Sequence, residues 1–165
     1  MTNPAPPRDA PIELVEVTAA NYREAFRLSV RPDQEGLVAP NAVSLAQAHF
    51  HPEAWPRLLV AGGTPVGFAM LEDWSQCPDR APDEWREAHY IGLWRFMIGA
   101  PYQRSGFGGR AMERLVAHAR TVPGTRAFYL SFVDADGGPE AFYRRFGFER
   151  TGEIDEGEVV MRLAL

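Results

Sequence analysis

Gln103-Arg104-Ser105-Gly106-Phe107-Gly108-Gly109 stands between an apolar, strand-like run, residues 90–98, and a helix-like run, residues 110–120. Three glycines in four positions allow positive φ and a close approach of backbone N–H groups to an anion. The helix that follows aims its positive dipole end at the same spot. The turn is a candidate phosphate cradle, and a ligand carrying a pyrophosphate would fit it. A Walker loop requires a lysine for the terminal phosphates, and the chain contains no lysine, which removes that reading. A dinucleotide fingerprint requires Gly-x-Gly-x-x-Gly, whereas Gly106-Phe107-Gly108 is followed by Gly109-Arg110-Ala111. What remains is Gln-x-x-Gly-x-Gly, carried by Gln103, Gly106 and Gly108. By itself, a glycine-rich turn from strand to helix is equally a plain tight connection.

A second block shifts that balance. In Glu140-Ala141-Phe142-Tyr143-Arg144-Arg145-Phe146-Gly147-Phe148, Pro139 just ahead suits a first helical turn and Gly147 suits a helix-terminating left-handed position. Phe142 and Phe146 share one helical face, with Tyr143 beside it. The two blocks, in this order, resemble the two signatures of the GNAT superfamily of N-acetyltransferases: the acetyl-CoA pyrophosphate loop, and a short tyrosine-bearing helix that ends in a Gly-Phe turn.

Composition is consistent with one enzyme domain. A chain of 165 residues, 45% of them hydrophobic, suffices for one well-buried core. We read residues 1–11, proline-rich and without a hydrophobic signal core, as a flexible lead-in, and residues 12–165 as a single domain. The net charge of −5 argues against nucleic acid as the main partner and favours a cationic substrate. Cys77 is the sole cysteine, which excludes an internal disulfide and a cysteine metal cluster and fits a reducing cytoplasm. No run approaches the length of a membrane span. His49 and His51 point in different directions on a helix, and His89 and His118 stand alone, so no metal is expected.

Periodicity gives an alternating order. Residues 12–17 read as a strand, and Asn21 opens a helix with Tyr22, Ala25, Phe26 and Ser29 on one side. Residues 31–40 read as a loop, Ser44 as the N-cap of a helix through Phe50, and residues 52–55 as a further turn. Residues 58–61 and 66–71 form a hairpin around Gly62-Gly63-Thr64-Pro65. Residues 73–87 read as irregular and acidic. Strand 90–98, helix 110–120, strand 127–133, the tyrosine block, and strands 148–154 and 158–163 complete the order. Met112, Leu115, Val116 and Ala119 give the long helix one apolar face for the sheet. The fold class is α/β (α+β): a mixed central sheet of six to seven strands flanked by about four helices. The resemblance, which runs from Ile12 onward, implies that this sheet is splayed in the middle.

The resemblance also implies that the pantetheine arm of acetyl-CoA inserts between strands 90–98 and 127–133. Phe96, Met97 and Ile98 would then offer backbone groups to the pantetheine and the thioester. Gln103, Arg104, Ser105, Gly106, Phe107, Gly108 and Gly109 would hold the pyrophosphate, with charge from Arg104 and Arg110. Acetyl transfer to an amine needs a neutral nucleophile, an oxyanion donor, and a proton for the departing thiolate. A backbone N–H of Met97 or Ile98 is the candidate oxyanion donor. Tyr143, at the family's usual tyrosine position and next to the bound cofactor, is the candidate general acid. Strand 90–98 carries no carboxylate, so either a distant carboxylate works through water, with Glu35, Glu72 and Asp73 as the candidates, or the amine loses its proton on the way in.

Within the superfamily, residues 37–41, 44–48, 65–70, 94–98 and 151–153 are similar to the polyamine acetyltransferase branch. The acidic residues Glu35, Glu72, Asp73, Asp83, Glu84 and Glu87 would then attract a string of ammonium groups. Asp136 stands where the family often has asparagine, seven residues before the tyrosine. An aminoglycoside or a protein N-terminus is the alternative acceptor, and a CoA-binding module without turnover the alternative class. The family often dimerises, which makes a homodimer a candidate assembly.

Overall fold

The computed structural model describes residues 6–165. The strands are β1 (Ile12–Glu16), β2 (Ala54–Ala61), β3 (Thr64–Glu72), β4 (Tyr90–Ile98), β5 (Ala127–Phe132), β6 (Glu149–Asp155) and β7 (Glu158–Ala164). The helices are α1 (Tyr22–Arg27), α2 (Asn41–Phe50), α3 (Asp83–Ala88), α4 (Phe107–Thr121) and α5 (Glu140–Arg144). One mixed sheet runs in the order β1-β2-β3-β4-β5-β7-β6, and among the described residues its only parallel neighbouring strands are β4 and β5.

Strand alternation divides the core between the two faces of this sheet. Leu59, Ala69 and Leu71 point to the side where α4 packs Ala111, Met112, Leu115, Val116 and Ala119. Leu58, Phe68 and Met70 point to the opposite side, beneath α1 and α2, with Ala25 and Met97. Each such buried Leu, Phe or Met side chain is worth about 1.5–3 kcal/mol relative to exposure. The apolar stripe expected on the long helix is this buried α4 face.

Several local expectations are corrected. Ser44 is not an N-cap: α2 begins at Asn41 after Pro40, and Ser44 is buried within it, its hydroxyl donating to the Pro40 carbonyl. Of the turn expected over residues 52–55, Pro52 and Glu53 form one, closed by the Ala54 N–H on the His51 carbonyl at 2.9 Å, while Ala54 and Trp55 already pair with β3 as the start of β2. Pro56 is tolerated there because β1 ends opposite Arg57, leaving the outer edge of β2 open where a proline lacks its N–H. The segment read as irregular contains α3, which buries Trp85 and aims its indole N–H at the Tyr90 carbonyl, 2.8 Å away. The long helix begins at Phe107, so Gly108 and Gly109 lie inside it. Of the expected lead-in, residues 1–5 lie outside the described residues. Ala10 closes a turn onto the Pro7 carbonyl and is buried in the core.

Candidate active site

The turn before α4 has the geometry of an anion cradle. Arg104 at φ 60° and Gly106 at φ 83° reverse the backbone twice within three residues, and Gly106 serves as the helix N-cap without any side-chain cap. No backbone N–H from residue 104 to residue 109 is paired with a backbone carbonyl among the described residues, and the first turn carries no acidic residue. A fifteen-residue helix therefore presents open donors and its positive dipole end to one spot. The nearest atoms that a Cβ on Gly108 would meet, in Ile98 and Phe142, lie at ordinary contact distances of 3.6–3.9 Å, so it is the space in front of the turn, not protein packing, that this glycine keeps clear. The Arg110 guanidinium folds back beside Gly106 and donates to the Arg8 carbonyl. The side chain of Gln103 is held within the protein. Its amide donates to Gln34 Oε1 at 2.7 Å and to the Ile98 carbonyl at 2.9 Å, tying the loop before α2 to the end of β4.

Beside the cradle the sheet opens. Pairing between β4 and β5 covers only Tyr90 to Leu93 against Ala127 to Leu130. At that point β4 carries a bulge, because Leu71 pairs with Leu93 while Met70 pairs with Arg95, leaving Trp94 extra. Beyond Trp94 the two strands diverge into a cleft of about 1660 Å³ lined by Phe96, Met97, Ile98, Gly108, Phe132 and Tyr143, among others. The gap is the splay that the family resemblance implies.

Register decides which amides face the gap. Gly99 donates to the Val66 carbonyl at 2.9 Å, and Gly67 stands opposite Ile98. Amide direction alternates along an antiparallel strand, so Met97 turns its N–H and carbonyl toward β3, while Phe96 and Ile98 turn theirs toward the gap. Consistently, a Cβ on Gly67 would lie 2.5 Å from the Met97 carbonyl. Met97 therefore cannot present its N–H to the gap, and its side chain is buried under α2, near Asn41.

Tyr143 sits on α5, 8% exposed, its ring packed against Phe132, Phe142 and Phe148 while lining the cleft. Burial, reinforced by the Glu158 charge, pushes its phenol up to about 12. Its proton is therefore held throughout the neutral range. An ion-pair network fixes α5: Arg150 of β6 reaches Glu140 and Asp134, and Arg144 also reaches Glu140, whose carboxyl is held down at about 2 by the Arg150 and Arg144 hydrogen bonds.

The cleft as a whole is acidic. Nine acidic residues line it against two arginines, one of which, Arg31, is already paired with Asp33 at 3.0 Å. Glu72 lies over Gly92, and its Oε1 accepts from the Trp74 indole and from the Tyr90 hydroxyl. Burial is the main cause of its raised pKa, with the charges of Glu53 and Asp155 adding to it. Tyr90 is pushed up to about 12 by burial and by the Glu72 charge. Asp136 also lines the cleft. Two of the expected acceptor carboxylates stand elsewhere. Asp73 is 4% exposed and caps the turn after β3, accepting from the N–H and hydroxyl of Ser75, and Glu35 is exposed beside the cleft without lining it. Glu53 from the turn ahead of β2, Asp155 from β6 and Glu158 from β7 come to this cleft; sequence offered no signal for them, because their convergence is a product of the fold.

Comparison with known proteins agrees with this geometry. Residues 17–148 match the acetyltransferase (GNAT) family. The chain is 30% identical over 154 residues, 91% of its own length and 96% of the relative's, to spermine/spermidine N(1)-acetyltransferase of Bacillus subtilis (strain 168). Among solved structures, it superposes on an acetyltransferase from Thermus thermophilus with a TM-score of 0.69 at 22% identity, covering 94% of this chain and 97% of that one. It superposes on AAC(6')-Ib in complex with paromomycin and acetyl-CoA with a TM-score of 0.74 at 16% identity, covering 93% of each chain. At these identities the structural likeness establishes the fold alone. Among the described residues no helix is long and apolar enough to cross a membrane. Cradle, splay and tyrosine together with the family match identify the chain as a member of the acetyltransferase (GNAT) family, an N-acetyltransferase.

Proposed function

We propose that this enzyme transfers the acetyl group of acetyl-CoA to a primary amine of a polyamine. The observation carrying the acceptor class is the acidic lining of the cleft, where Glu53, Glu72, Asp155 and Glu158 line the same space as Tyr143 with few cations to offset them. A chain of ammonium groups suits such a surface, and a neutral or anionic acceptor does not. The similarity to the Bacillus relative supports the same class. When bound, acetyl-CoA supplies the activated acetyl group as a thioester.

In this reading the unpaired amides of residues 104–109 bind the pyrophosphate, and Phe96 and Ile98 hold the pantetheine along the open edge of β4. The Ile98 N–H donates to the oxyanion; a well-placed donor of this kind contributes about 3 kcal/mol. Tyr143 gives its proton to the departing sulfur. Glu72 attracts the acceptor's distal ammonium groups. An acceptor screen that follows CoA release tests the proposal. Spermidine and spermine should be turned over with a higher kcat/KM than aminoglycosides or peptides with free N-termini. Preference for either of those would overturn the polyamine assignment, and tight acetyl-CoA binding without turnover on any amine would favour a binding module.

A further inference from the structure

Amine acetylation needs an uncharged nucleophile, and β4 carries no carboxylate to take the ammonium proton. A histidine set aside on sequence grounds stands at the same cleft. His51 terminates α2, and its Nδ1 lies 2.8 Å from Glu53 Oε1. The Glu53 side chain is 8% exposed and that of His51 47% exposed. A carboxylate with so little water requires a partner, and His51 is its side-chain hydrogen-bond partner among the described residues. In the neutral tautomer that donates Nδ1–H to Glu53, Nε2 carries the lone pair, on a ring that remains half open to solvent. The ring meets Trp94 edge-on, with centroids 5.1 Å apart, and Trp94 is the bulge residue at which β4 leaves β5. Both His51 and Glu53 line the cleft.

We propose that His51, oriented by Glu53, is the general base that takes the proton from the acceptor ammonium. The proposal rests on the amine-acetylation reading above. The ammonium passes one proton to Nε2, and from there it goes to solvent. The freed nitrogen lone pair forms the N–C bond, the C–S bond breaks with its electron pair on sulfur, and the nitrogen's second proton ends on sulfur by way of Tyr143. Glu53 accepts the Nδ1–H bond throughout and is a positioning residue. The charged groups that neighbouring elements bring to this corner are Glu53 ahead of β2, Glu72 of β3, and Arg95 of β4, whose guanidinium is held at 3.2 Å by Gln47, one turn back along α2.

The test uses the full chain and whichever amine the wild type acetylates. His51→Gln keeps a donor for Glu53 but supplies no base. At pH 7 its kcat should fall on the order of 10²-fold with the KM for acetyl-CoA unchanged, and its rate should climb toward wild type as rising pH supplies free amine. His51→Ala should regain rate when imidazole is added, and Glu53→Gln should lower kcat without such rescue. Independently of turnover, spermidine added without acetyl-CoA should shift the ring ¹⁵N signals of His51 and leave those of His49 in place. A His51→Gln enzyme matching wild type at pH 7, or His51 signals indifferent to the amine, would overturn the base assignment while leaving the acetyltransferase reading intact. A wild type that acetylates no amine would instead sink the functional reading, and this proposal with it.

Discussion

At the residue scale the proposed chemistry turns on Tyr143. Its phenol is held near 12 by burial, so the proton is present across the working range and no alkaline limb belonging to this group falls below about pH 10. Tyr143→Phe should lower kcat on the order of 10²-fold and leave acetyl-CoA affinity nearly unchanged, measured by steady-state kinetics alongside calorimetry; an unchanged kcat would remove it from catalysis. Glu72 carries the complementary expectation for the acceptor. Its raised pKa means that it gains charge at higher pH than an ordinary glutamate, so polyamine KM should fall as pH rises through that range. Glu72→Gln should raise the polyamine KM and abolish this trend, and a flat response would remove Glu72 from the acceptor site. Tyr143 was legible in sequence because a local motif surrounds it. Asp73 was misleading for an equally local reason: Ser75, two residues on, captures its carboxylate. Choosing Ile98 over Met97 required the pairing register with β3, which no single strand encodes.

At the element scale two glycines separate packing from binding. Gly67 has no room for a side chain, since a Cβ would meet the Met97 carbonyl, Ile98 and Leu59 within 3.0 Å. Gly67→Ala should therefore destabilise the fold by about 1–3 kcal/mol, as seen in chemical denaturation. Gly108 is the reverse case: it lies inside α4, where alanine is the better helix former by about 1 kcal/mol and the protein leaves space for it. Gly108→Ala should raise Tm by about 2–4 °C yet weaken acetyl-CoA binding at least about tenfold. Tight binding in that variant would mean that nothing approaches the helix there. The apolar runs made the strands and α4 visible in the sequence. The opening between β4 and β5 was reached only through the family resemblance, because a splay and the Trp94 bulge are properties of partners distant in the chain.

At the scale of the whole molecule, charge is the organising quantity. A net charge of −5 together with an acid-lined cleft should draw in polycations. Accordingly, kcat/KM for spermine should drop more steeply with ionic strength than that for a monoamine, since each ammonium adds an attraction that salt screens; equal slopes would contradict electrostatic capture. Net acidity was plain from composition, but its concentration around the cleft was not, because the contributing residues are scattered from Asp33 to Glu158. For the donor substrate, the proposed binding mode has the open amides at the start of α4 grip a pyrophosphate while β4 offers its free edge to the pantetheine. Titrating coenzyme A into the ¹⁵N-labelled protein tests this directly. The amide signals of residues 104–109, Phe96 and Ile98 should shift saturably together, and that of Met97, bonded toward β3, should shift far less. Coenzyme A binding that leaves the residue 104–109 amides unmoved would contradict the account.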